Sequence, residues 1–202
     1  MQLWRFYEQI VGMWTIESNR SPFRYPLKPD EDTSGSKREY FNYLTRAMDA
    51  SGDLFMLRYV ENPPGNVILK SYGQLLPSEV QIELTASWDK KAKESGNWIP
   101  SAIFGGLSRI HVKENSVVLP VEIPDALRMA LVALNDHYLL TLVTNCDLWL
   151  DRFISGEDNA EAGSLNASAL GRTIRALEDA MDGRVVHFGS ELGVAVSEHG
   201  FS

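Results

Sequence analysis

With 202 residues, 44% of them hydrophobic and 23% charged, the chain has the composition of one folded domain, and the low-hydrophobicity, high-charge signature of disorder is absent. Its 19 basic and 27 acidic residues leave a net charge of -8, which disfavours non-specific attraction to nucleic acid or to an anionic membrane and fits a basic partner. The single cysteine, Cys146, excludes an internal disulfide and a multi-cysteine zinc site.

Residues 1–10 lack the basic start and unbroken apolar segment of a secretion signal, and no run reaches the roughly 20 apolar residues of a membrane span. The expected compartment is therefore the cytoplasm. Over residues 3–14, Leu3, Tyr7, Ile10 and Trp14 with Trp4 and Val11 mark one wide face of a helix. An early strand competes, because aromatic and β-branched residues are enriched and Gly12 interrupts the helix. Residues 15–35 read as a proline-rich loop carrying Pro22, Pro26, Pro29 and the acidic triplet Asp30, Glu31, Asp32, pinned by Phe23 and Tyr25. Residues 36–50 read as a helix, with Ser36 and Glu39 as a capping box and Tyr40, Phe41, Tyr43, Leu44 and Ala47 on its apolar side.

The period then changes to two. Residues 54–60, 66–72 and 79–88 read as an antiparallel meander, the last strand resting on Val80, Ile82, Leu84 and Ala86. After a polar connector over 89–100 and a glycine-interrupted apolar stretch at 103–107 with no assigned element, residues 109–112 and 117–121 form a further hairpin. Residues 116–153 are the organising stretch, read as strand, helix, strand, helix. Its first helix starts at Pro124 and Asp125 and carries Leu127, Leu131, Leu134 and Tyr138 at helical spacing; residues 138–143 are a strand and 148–153 a short helix. Residues 155–165 are expected as a mobile acidic loop, residues 166–181 as a helix closed by Asp182 and Gly183, and residues 184–188 and 193–196 as short strands. Hairpins in sequence with helices at the start, middle and end predict an α+β fold: a single domain over 1–202, with a mainly antiparallel sheet and helices packed on one face. Residues 1–35 are the segment able to act as an arm over a partner or a twin subunit.

For chemistry, Cys146 stands where an apolar strand hands over to the expected helix at 148–153, and a helix amino terminus stabilises a thiolate. His187 on a later strand would be its base and Glu191 the orienting group. This order, cysteine on a helix and then histidine on a strand, resembles that of NlpC/P60-type cysteine hydrolases, which implies a hydrolase or transferase. Their Asp-Cys-Ser-Gly start is absent, since Asp147 and Leu148 follow Cys146. The plainer reading makes Cys146 a small buried hydrophobe. His111, His137, His187 and His199 include no pair at metal-ligand spacing, and Gly105-Gly106 fits neither a P-loop nor a dinucleotide site, so neither metal nor cofactor is expected.

The leading expectation is a non-enzymatic binding protein. Trp4, Tyr7, Trp14, Phe23 and Tyr25 would anchor a partner, and Asp30, Glu31, Asp32, Glu157 and Asp158 would steer it if it is basic. This layout is similar in type to small acidic immunity proteins that neutralise a bacterial toxin, or to phage-encoded inhibitors, which implies inhibition by occlusion. A homodimer is a further arrangement the aromatic segment allows.

Overall fold

The structure, a computed structural model, describes residues 5–26, 33–62, 66–95, 99–114 and 116–201. In chain order it comprises β1 (Gly12–Ser18), α1 (Ser34–Ser51) ending in a 3-10 turn (Gly52–Leu54), β2 (Met56–Asn62), β3 (Asn66–Lys70) and α2 (Pro77–Ser95). Then follow β4 (Ser101–Glu114), β5 (Val117–Leu134), β6 (His137–Thr144), α3 (Ala160–Met181), β7 (Gly183–Gly189), β8 (Val196–Ser197) and β9 (Gly200–Phe201). The first seven strands form one sheet in the order β3-β2-β4-β5-β6-β1-β7 with every neighbouring pair antiparallel, and β8-β9 is a separate hairpin. The α+β class expected from the sequence is the one observed, with the helices packed against the sheet. Among the described residues, no helix is long and apolar enough to cross a membrane.

Alternation builds the sheet's two faces. Trp14 and Ile16 on β1, and Tyr138, Leu140 and Leu142 on β6, are buried towards the helices, whereas Met13, Thr15, Leu139, Thr141 and Val143 are half-buried on the other side. From α1, Tyr40 meets Trp88 of α2 edge-on at 4.8 Å, and Phe41 stacks on the same indole at 5.4 Å. Burying these rings holds α1 and α2 together, while α3 buries Leu170, Ile174, Leu177 and Met181. The chain's antiparallel centre is β4-β5, where Tyr59 of β2 fills the space a side chain at Gly105 would need and the Met56 carbonyl fills that at Gly106. That close approach is why the glycine-interrupted stretch at 103–107 is the inside of a strand.

Two elements exchange identities relative to expectation. Residues 79–88 are not a strand: Val80, Leu84 and Trp88 are buried but Ile82 is 68% exposed, the pattern of helix α2. Glu79 accepts a hydrogen bond from Leu76 N at 2.8 Å, closing the helix start. Conversely, residues 124–138 are not a helix: Leu127, Met129, Leu131 and Ala133 are all buried along β5, and Asn135-Asp136 is a tight turn into β6, with Asn135 at φ 53°. A spacing of four residues satisfies both periods, so only the residue halfway between decides. Residues 3–14 are not a helix over their described part either; the competing strand reading holds from Gly12, and Phe6 forms an isolated bridge with Cys146. Residues 148–153 form turns, and α3 begins at Ala160, within the segment expected to be a loop.

Candidate protein-binding surface

The expected aromatic anchors divide between interior and surface. Trp14 is wholly buried on the inward phase of β1, donates its indole N–H to the Ser197 carbonyl at 2.9 Å and meets Phe201 edge-on at 5.3 Å. Tyr25 is buried too, its hydroxyl 2.5 Å from that of Tyr138, which donates to Glu39 Oε2 at 3.0 Å. Ser21 donates to the same Glu39 oxygen at 2.5 Å, so the loop after β1 is tied down by a hydroxyl network. Phe23 is half-buried over Gly35. Trp14 and Tyr25 are therefore corrected from surface anchors to core residues. Trp4, Asp30, Glu31 and Asp32 lie outside the described residues.

The structure does not assemble the cysteine constellation. Cys146 is fully buried, its Sγ 3.5 Å from Thr144 Oγ1 and 3.9 Å from the Ala126 carbonyl, and the turns at 148–153 provide no helix terminus. Burial pushes its thiol up to about 11, the wrong direction for a nucleophile at neutral pH. His187 is exposed on β7 opposite Thr15, on the sheet face turned away from the helices. Glu191 accepts a hydrogen bond from Ile10 N at 2.7 Å and thereby holds the segment before β1.

What the structure does assemble is a surface around Asp147. This carboxylate is wholly buried and accepts three hydrogen bonds: from Arg5 N at 3.1 Å to Oδ1, and from the Tyr7 hydroxyl at 2.9 Å and Ile154 N at 3.1 Å to Oδ2. A buried carboxylate needs such donors to be tolerated at all. Asn145 reinforces the junction, accepting Tyr7 N at its carbonyl at 2.8 Å and donating its side-chain amide to the Tyr7 carbonyl at 3.3 Å. On the other side, Phe153 N donates to the Glu157 carbonyl at 3.0 Å and Asn159 Nδ2 donates to the Leu150 carbonyl at 2.8 Å, folding residues 150–159 into a compact loop. Residues 5–7 and 154 are thus joined on one carboxylate.

The consequence is two exposed apolar side chains beside a charged loop, where three carboxylates stand with Arg152 and with Arg5 near Glu157. Phe6 is 48% exposed and Ile154 41%, while Asp151, Glu157 and Asp158 are exposed on the adjoining loop. The Ser155 hydroxyl donates to Glu157 and, with the residue's own backbone amide and the Arg5 guanidinium, holds that carboxyl below the usual range. Burial, then the hydrogen bond to Asp147, pushes the Tyr7 phenol up to about 12, so Tyr7 stays a neutral donor. Of the residues expected to bind a partner, Tyr7, Glu157 and Asp158 meet here. Phe6, Ile154 and the role of Asp147 were missed. One signal was legible: a lone aspartate inside the apolar run Cys146-Asp147-Leu148-Trp149-Leu150 has to be satisfied internally or expose its neighbours.

A second titratable cluster lies at the far end of α3. Glu178, Glu198 and His199 bring one ligand atom each within 4.8 Å of one another, a donor set able to hold a divalent cation. In the structure His199 Nε2 is 2.7 Å from Glu178, whose other oxygen accepts Val185 N at 2.8 Å, so the cluster already fastens the β8-β9 hairpin and β7 to the helix. No protein family, curated protein or solved structure matches the chain.

Proposed function

We propose that this chain is a non-enzymatic binding protein that occludes a basic protein partner, in the manner of an immunity protein neutralising a toxin, and that the surface around Asp147 makes the contact. The observation that carries the reading is the Asp147 junction. It holds two large apolar side chains, Phe6 and Ile154, in water beside Asp151, Glu157 and Asp158. An apolar anchor with a charged border is the arrangement that combines residence time with steered encounter. The net charge of -8 acts in the same direction at longer range.

The test is capture of a partner from host lysate on the immobilised chain at low and high salt, run in parallel with Phe6→Ala and with the double variant Glu157→Lys/Asp158→Lys. The reading requires one stoichiometric partner that the double variant fails to hold, that high salt releases, and that Phe6→Ala binds at least about tenfold more weakly. A partner held equally by all three proteins, or held independently of salt, refutes it.

A further inference from the structure

Near the carboxyl end of α3, the turn between β8 and β9 is seated on the helix. Those strands are two residues each, so Glu198 and His199 are the whole turn, and Gly200 follows at φ 128°, a backbone that glycine takes readily. A Cβ at Gly171 would stand 2.8 Å from the His199 carbonyl, so α3 approaches the turn this closely only with a glycine there. Glu178 lies about two helical turns beyond Gly171 on the same face of α3. One carboxylate from the helix is thereby brought to a carboxylate and an imidazole from the turn. Their ligand atoms lie within 4.8 Å of one another, and among the described residues no other three histidine, cysteine or carboxylate groups do so.

The donors suit a metal ion. Glu178 Oε1 accepts Val185 N at 2.8 Å, the kind of outer hydrogen bond that orients a metal-binding carboxylate. Glu178 Oε2 lies 2.7 Å from His199 Nε2, and the Glu178 and His199 side chains are 16% and 28% exposed. With the ring proton on Nδ1, Nε2 turns a lone pair towards that oxygen, and a cation between the two replaces the hydrogen bond. Glu198 is exposed and rotates onto the third position, which leaves a fourth for water. Tetrahedral bonds of about 2.0–2.1 Å set neighbouring ligand atoms about 3.4 Å apart, so the Nε2–Oε2 pair opens by about 0.7 Å and Glu198 closes in by at most about 1.4 Å. Arg175, one turn before Glu178, puts its Nη1 3.9 Å from the Cβ position at Gly171. Its single positive charge is outweighed by the two carboxylates and by the partial negative charge at the end of α3, equivalent to about half an elementary charge.

We infer that Glu178, Glu198 and His199 bind a divalent cation of the zinc class, which fastens the β8-β9 hairpin to α3. One imidazole and two carboxylates suit zinc, whereas magnesium and calcium prefer shells of oxygen with more ligands. The hairpin carries the Ser197 carbonyl that accepts the Trp14 indole N–H and the Phe201 ring that meets Trp14 edge-on, so the cation reinforces the closure over β1. This site is independent of the protein-binding surface.

Calorimetric titration of the metal-free, untagged full chain with zinc, manganese, magnesium and calcium chlorides tests it. Zinc is expected to bind at one ion per chain with a dissociation constant on the order of 10 μM or tighter, at least about tenfold tighter than manganese and about a hundredfold tighter than magnesium or calcium. At tenfold excess over that constant, zinc is expected to raise Tm by about 3 °C, and to shift most strongly the amides of the β8-β9 hairpin and of Val185. Glu198→Gln, a substitution of an exposed side chain, is expected to weaken zinc binding at least about tenfold and to leave the Tm of the metal-free chain unchanged. The inference is overturned by a zinc dissociation constant above about 100 μM, by magnesium or calcium binding as tightly as zinc, by shifts confined to the surroundings of His111, His137 or His187, or by a Glu198→Gln chain that binds zinc like the parent.

Discussion

Trp14 and Phe6 belong to one aromatic segment and meet opposite fates. Trp14 stands on a regular strand, where alternation and two neighbouring strands put it against the helices, with no exposed surface. Phe6 stands just upstream, where the backbone has only an isolated bridge to Cys146 and is held mainly by Asp147, so its ring stays 48% exposed. The difference teaches that an aromatic is spent on the core wherever a ladder fixes its face. It becomes available for recognition where a side-chain knot holds the backbone instead.

The largest break in this comparison is Trp14→Ala. Removing a fully buried indole is expected to lower stability by about 3–5 kcal/mol in chemical denaturation. A loss under about 0.5 kcal/mol, the usual effect of a surface substitution, would return Trp14 to the surface. Next is Asp147→Ala, which leaves the Arg5 and Ile154 amides and the Tyr7 hydroxyl without their acceptor. We expect a loss of about 2–3 kcal/mol and, before global unfolding, faster hydrogen exchange at Arg5 and Ile154. Unchanged exchange there would show that the knot holds nothing.

High pH probes the two regions together. Burial is the main reason that the Tyr7 and Tyr25 phenols are each raised from 10.0 to about 12, so the folded chain keeps their protons to higher pH than the unfolded chain does. Their contribution to stability is whole below pH 10 and is lost as pH rises towards 12. Tyr40, Tyr59 and Tyr138 are raised as well, mainly by burial, and act in the same direction, so denaturation midpoints measured across that window are expected to fall, with a shallower fall in Tyr7→Phe, which lacks one of these titrations. The smallest expected effect on stability is that of Phe6→Ala, within about 0.5 kcal/mol by the same measurement. Combined with a tenfold loss of partner binding, it would separate the surface aromatic from the core one.

Helix α1, the hairpin of β2 and β3, the tip of the β4-β5 hairpin over 109–121, β6, β7 and most of α3 were legible from local patterns of apolar residues and turns. The exchange between 79–88 and 124–138 was not, because Val80/Leu84/Trp88 and Leu127/Leu131 repeat every four residues, a multiple of two that also fits a helix face. Ile82 left in water and Met129 taken inside broke the tie, and which of them is buried is set by neighbouring strands. At the candidate surface, Tyr7, Glu157 and Asp158 were legible as residue types in suggestive places. Their meeting was not, since it passes through Asp147, whose partners at Arg5 and Tyr7 are 142 and 140 residues away in the chain.

The amino-acid sequence alone was enough for the class of fold, the acidic balance, the abundance of hairpins and the helix ends at Gly52 and Asp182. These follow from composition, periodicity and turn chemistry acting over a few neighbouring residues. The tertiary structure alone placed Trp14 and Tyr25 in the interior, chose the buried reading of Cys146 over the reactive one, set Phe6 and Ile154 beside a charged loop, and brought Arg109, His111 and Arg172 to one groove. Burial and long-range hydrogen bonding depend on which distant segment arrives, and no local period encodes that arrival.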